Sequence, residues 1–194
     1  MAGAIVEPLV IEEAQKAPMT AEDFLRLPND GRPKELVRGR VVSMNLPAPR
    51  HGQICAKVVR LIGNFADENH LGHVVSNDSG VRTERGPDTV RGGDVAFYSY
   101  ARIPSGPLPQ GYLPVVPELI FEVRSPTDRW SAILAKVAEY LSAGVTVVCV
   151  LDQMTERCHV YRNEEEMQTF SSDRELTVPD VLPDLHLPVR RFFE

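Results

Sequence analysis

Residues 118–151 constrain the fold of this chain more than any other stretch. Glu118-Leu119-Ile120-Phe121-Glu122-Val123-Arg124 has the length and apolarity of a buried strand. Residues 131–143 read as a helix that Gly144 stops, and residues 145–151 form a second apolar run. Strand, helix and strand in that order can make a crossover between parallel neighbours, with the helix lying on the face of a sheet. The expected class is therefore mixed α/β.

The first of those strands carries an anomaly. Side chains alternate along a strand, so Glu122 and Arg124 share one face while Phe121 and Val123 share the other. A carboxylate among such neighbours is costly unless it is paired or holds a cation.

Upstream, Thr20 has the character of a helix N-cap, with Glu22 and Asp23 in the first turn and Phe24, Leu25 and Leu27 as the apolar side. Residues 34–45 read as a β-hairpin folded about Arg38-Gly39. In residues 51–69, Ile54, Val58, Leu61, Ile62 and Phe65 recur at steps of three and four, the spacing of an amphipathic helix. Strands are expected at residues 73–76, 81–84 and 94–100, and a further one at 157–162 pairs with 145–151. The Pro/Gly-rich loop 104–117 is too long for a simple hairpin connection, which makes it a candidate active-site or partner loop. Residues 164–166 form an acidic turn. Residues 1–17 read as a loose arm, and residues 18–194 as one domain.

At 43% hydrophobic and 25% charged, the 194 residues fall in the ordinary globular range. No apolar run approaches the roughly 18 residues that would span a bilayer, and residues 1–17 lack the basic-then-apolar order of a secretory leader. A cytoplasmic protein with no membrane segment is expected. The three cysteines, Cys55, Cys149 and Cys158, have neither metal-type spacing nor the even count of a disulfide framework, and Cys149 reads as a small core hydrophobe.

A formal charge of −6 argues against coating nucleic acid by bulk electrostatics. The charge is uneven, however, with a net of +6 over residues 32–60 and −5 over residues 152–194. A basic front suits a polyanion and suits a solvated helix face equally well.

Asp94 is expected to begin its strand after Arg91-Gly92-Gly93, where absent side chains let backbone and ligand come close. If its strand neighbours that of Glu122, the two carboxylates converge, and such hard oxygen ligands suit Mg²⁺ or Mn²⁺. Phosphodiester cleavage needs a cation to polarise the phosphate and activate a water, and a positive group against the growing charge. Arg124 and Lys136 are the candidates for that group, Lys136 sharing a helix face with Ile133 and Tyr140. The same pattern also describes an ordinary salt-bridged sheet.

On these residues the chain resembles the Uma-type family of restriction endonucleases, a branch of the PD-(D/E)XK nuclease superfamily. The resemblance runs from about Thr20 to Arg162. It is carried by Lys34-Glu35-Leu36-Val37-Arg38-Gly39, Pro49-Arg50-His51, Gly93-Asp94-Val95, Glu122-Val123-Arg124-Ser125-Pro126 and the stretch from Lys136 to Val145. It implies a restriction-endonuclease-like core, a central mixed sheet flanked by helices, here with an N-terminal hairpin. It also implies Asp94 and Glu122 as the acidic, metal-binding pair, Glu35 as a third acid and an assisting lysine.

Two departures from the superfamily pattern stand out. Gly93 replaces the proline of the PD motif, and Arg124 stands where a lysine is expected. Arginine stays charged and cannot accept a proton. The likeness therefore suggests that Lys136, migrated to the helix, does the lysine's work.

Each remaining residue has two readings. Glu35 can instead pair with Arg38 or Arg40. His51 and Arg50 can contact phosphate or merely begin a helix. Trp130 and Tyr140 read as core or interface aromatics, and Asp128 as a helix cap with an outside claim on the site. The functional expectation is a Mg²⁺- or Mn²⁺-dependent endonuclease acting on DNA as a homodimer, because two symmetric copies most easily cut both strands. The alternatives are a catalytically inactive nucleic-acid- or protein-binding module on the same fold, and a structural oligomer.

Overall fold

The computed structural model describes residues 17–194 apart from 29, so all of the expected arm except its last residue lies outside the described residues. The first helix, α1 (Ala21–Leu25), starts where Thr20 Oγ1 accepts the Asp23 N–H. Strands β1 (Lys34–Val37) and β2 (Arg40–Ser43) form the expected hairpin, and its turn places Arg38 and Gly39 at φ of 48° and 73°. Helix α2 (Pro49–Glu68) has proline in its first turn and buries Ile54, Val58, Ile62 and Ala66, a stripe stepped by four.

Next come β3 (Gly72–Glu84), β4 (Thr89–Ser99), β5 (Leu119–Arg124), α3 (Trp130–Ser142), β6 (Val147–Asp152), β7 (Arg157–Tyr161) and β8 (Gln168–Phe170). The main sheet runs β2-β1-β4-β5-β6-β7-β8, with β3 also paired to β4. β5 and β6 are parallel and joined through α3, which is the expected crossover, while the other pairings of this sheet are antiparallel. A second sheet pairs β9 (Glu175–Val178) with β10 (Leu182–Pro188), and a 3₁₀ turn, Val189–Phe192, follows. The fold is thus mixed α/β, with helices on both faces of the central sheet.

β5 divides the two halves of the core. Leu119, Phe121 and Val123 point into the cluster under α2, and Ile120 points into the cluster under α3 with Val137, Tyr140 and Val148. Alternation therefore sends Glu122 to the α3 side, where it is buried.

Three expectations need correction. The strands at 73–76 and 81–84 are one strand, β3, interrupted by a register shift between Ser76 and Ser79. Asn77 and Asp78 sit there at φ of 63° and 52°, a conformation that these residue types tolerate and that looks like a turn in sequence. As a result β4 begins at Thr89, and Asp94 lies inside it rather than at its start. Asp128 accepts the Ser125 N–H at 2.8 Å and does not cap α3, whose N-cap is Arg129 without a side-chain cap bond. Among the described residues no helix is long and apolar enough to cross a membrane.

Candidate active site

The edge of β4 away from β3 has two partners. It pairs with β5 over Val95–Phe97 and with β1 at Val90. Residues 91–94 between them have no strand partner on that edge among the described residues. Strands leaving one edge in two directions open a gap lined by backbone and by side chains that need not pack. The acids singled out from the sequence border this gap.

Asp94 turns into it and accepts the Val123 backbone N–H at 2.6 Å, a side-chain bond where a ladder bond would otherwise continue. On the other side of the gap, Glu35 comes from β1 and is 4% exposed. Its carboxylate accepts the Arg91 guanidinium at 2.9 Å and the Gly92 N–H at 3.2 Å. Arg91 is itself held by Glu139 of α3 through Nε and NH2, so three elements are tied at this point. Glu35 therefore pairs with Arg91 and Lys136, not with Arg38 or Arg40.

Lys136 projects from α3 across the gap. Its ammonium lies 2.9 Å from Glu35 Oε1 and 3.7 Å from Glu122 Oε2. Burial opposes its charge, but Glu122 and Glu35 more than offset this and raise its pKa above the ordinary lysine range. The Tyr140 hydroxyl donates to the other Glu122 oxygen at 2.8 Å. Burial, reinforced by the negative charges of Asp94 and Glu35, pushes the Glu122 carboxyl up to about 7 against the opposing pull of Lys136 and Tyr140.

The first turn of α2 closes the site from the opposite face. His51 Nε2 lies 3.3 Å from Asp94 Oδ2, and its Nδ1 lies 3.5 Å from Cys55 Sγ one helical turn on. Burial alone would lower the imidazole pKa, yet Asp94 and Cys55 raise it to about 10. Burial raises the Cys55 thiol. Asp78, on the β3 irregularity, is also raised, by burial and then by the charge of Asp94.

Arg124 shares the Glu122 side of β5 but does not turn to the gap. Its guanidinium donates to Asp152 at 2.9 Å and to the Asp128 carbonyl at 3.1 Å, and lies 4.9 Å from the Trp130 ring centroid. The neighbouring strand end supplies a buried acid that the sequence could not place beside it. Arg50 is paired outward, with Gln53 and Glu156. The basic stretch 32–60 contains both Glu35 and His51 and so borders the gap, but Lys34, Arg38 and Arg50 are already ion-paired.

Sequence reasoning missed Cys55, Arg91, Glu139 and Asp78, and it left Tyr140 in the core. The i, i+4 spacing of His51 and Cys55 was the available signal, because it puts both on one helix face. Tyr140 bears the same relation to Lys136.

A comparison with curated proteins gives no match. The crystal structure of a protein from Anabaena variabilis ATCC 29413, described as "a putative nuclease belonging to DUF820", is similar at a TM-score of 0.76 and 21% identity, covering 91% of this chain and 98% of that one. The two chains share a fold. The sequence model of the Uma2 family, described as "Putative restriction endonuclease", matches residues 21–190, and the chain belongs to that family.

Proposed function

We propose that this chain is a divalent-metal-dependent endonuclease that hydrolyses DNA phosphodiester bonds in the gap between β1, β4 and β5. The observation that carries the reading is the placement of Lys136, whose ammonium reaches Glu35 and Glu122 in the gap that Asp94 also enters.

The donor set fits a hard cation. Asp94 and Glu122 offer carboxylate oxygens, and Glu122 is raised by burial and then by the charges of Asp94 and Glu35, which a bound cation would offset. Mg²⁺ or Mn²⁺ held there would polarise the phosphate and activate a water. The chain's own groups do the rest. The Val123 N–H fixes the Asp94 carboxylate and the Tyr140 hydroxyl fixes that of Glu122. Glu35 and Glu122 keep Lys136 charged, so it can face the negative charge that grows on the phosphate. At the start of α2, His51 beside Asp94 and Arg50 on the outward side are the groups proposed to contact the substrate backbone.

Action as a homodimer follows from the need to cut both strands. A cytoplasmic location suits the three free thiols. One observation favours the inactive binding module instead, namely that the arginine in the lysine position is committed to Asp152.

Supercoiled plasmid incubated with the purified protein and Mg²⁺ or Mn²⁺ distinguishes the readings. Nicked or linear DNA that disappears with a chelator is expected. Intact plasmid with both ions contradicts the enzyme.

A further inference from the structure

Among the described residues, the group of potential metal ligands whose donor atoms all lie within 4.8 Å of one another is His51, Cys55 and Asp94. We infer that these three residues form a second cation site, selective for a borderline-soft divalent ion such as Zn²⁺ or Co²⁺. Asp94 would belong both to this site and to that of the proposed nuclease, but the soft-ion site stands on the grouping of His51, Cys55 and Asp94 alone.

The geometry needs little adjustment. Donors around a tetrahedral ion with bonds of roughly 2.0–2.3 Å stand about 3.5 Å apart. His51 is already 3.3 Å from Asp94 and 3.5 Å from Cys55, through its two different nitrogens. Only one nitrogen can bind a given ion, so a side-chain rotation at Cys55 or Asp94 completes the set. His51 and Cys55 are fixed on one face of α2 by their four-residue separation, and Asp94 is fixed by the Val123 N–H.

The donor types decide which ion. A thiolate and an imidazole favour Zn²⁺ or Co²⁺ over Mg²⁺, whose partners are carboxylate, carbonyl and water. Three protein ligands leave a fourth position for water, as in an open zinc site. Binding releases the thiol proton and any proton on the imidazole nitrogen that takes the ion, since the sulfur and that nitrogen must be unprotonated to bind, while the Asp94 carboxylate has no proton to lose. Cys149 and Cys158 cannot supply the thiolate without unfolding, because both are fully buried in the core under α2.

The test uses the full chain and Co²⁺ alone. One equivalent of Co²⁺ is expected to give a thiolate-to-cobalt charge-transfer band that is lost in Cys55→Ser. A band that survives Cys55→Ser, or no band in the wild type, overturns the site. Where Cys55→Ser does not fold, alkylation of Cys55 in the wild-type protein, followed by mass spectrometry, replaces it. Zn²⁺ is expected to slow alkylation at least tenfold while Mg²⁺ leaves it unchanged, and equal rates with and without Zn²⁺ overturn the site. Absence of the band in the wild type, with intact Mg²⁺-dependent nicking, sinks this inference alone. A band without nicking sinks the nuclease reading and leaves the soft-ion site standing.

Discussion

The Lys136 ammonium lies 3.7 Å from Glu122, although five other side chains share the strand with Glu122 and Lys136 arrives from a helix. Arg124, two residues along β5 and on the same side, is drawn away to Asp152. Lys136→Ala should therefore abolish metal-dependent cleavage, while Arg124→Ala should keep it at temperatures where the variant remains folded. Both changes take the cation away from a buried carboxylate, and each should cost about 3 kcal/mol in denaturant unfolding. Cleavage that survives the loss of Lys136 and not that of Arg124 would assign the role to the arginine.

Tyr140→Phe removes a hydroxyl donor from Glu122 and nothing else of its volume. An unsatisfied buried carboxylate oxygen costs roughly 1–3 kcal/mol. Because the bond favours the charged carboxylate, its loss raises the Glu122 pKa further, and the acidic limb of the nicking rate against pH should move to higher pH. An unmoved limb would show that Glu122 is not the group that must ionise.

How much of this was legible in the sequence depended on range. The α2 stripe and the crossover from β5 to β6 repeat at fixed short intervals, and both are present as read. Glu122 was conspicuous because it interrupts an apolar strand. What could not be read are relationships made by distant segments. Asp152 beside Arg124, Arg91 beside Glu35 and Asp94 beside His51 depend on which strands neighbour one another. The C-terminal stretch was unread for a similar reason. Leu176, Val178, Leu182, Leu185, Leu187, Val189 and Phe192 are buried against the α2 side of the sheet, but they lie on short irregular strands and a 3₁₀ turn among acids, with no sustained period.

Asp88 should make stability depend on pH. Burial would raise its carboxyl, but the Arg82 guanidinium and the Ala21 N–H, each at 2.7 Å, hold it below the ordinary aspartate range. A depressed folded-state pKa contributes stability that is present above the unfolded value and lost as pH falls through the folded one. Asp88→Asn should thus cost about 3 kcal/mol near neutral pH. The difference from wild type should shrink below roughly pH 4, and a difference that stays constant down to acid unfolding would contradict the pairing.

Two glycines should respond in opposite ways to alanine. At Gly63, within α2, an added Cβ meets nothing within 4 Å, so Gly63→Ala should stabilise by roughly 0.5–1 kcal/mol. At Gly92 the same atom would lie 2.8 Å from Asp78 Cβ and 3.2 Å from its backbone, so β3 must move at its irregular point. Gly92→Ala should lower the melting temperature and disturb the Gly92 N–H bond to Glu35. Equal melting temperatures for the two variants would refute the contrast.

Whether the carboxylates in the gap hold the catalytic ion is read from the rate of Mg²⁺-dependent plasmid nicking by Glu122→Gln relative to wild type. Both proteins are first matched by melting curve, since glutamine keeps the size of the side chain and can still accept from Tyr140. A loss of about 100-fold or more is expected, the scale on which removing one preorganised charged contact slows such reactions. Nicking by Glu122→Gln at the wild-type rate would contradict that placement of the ion.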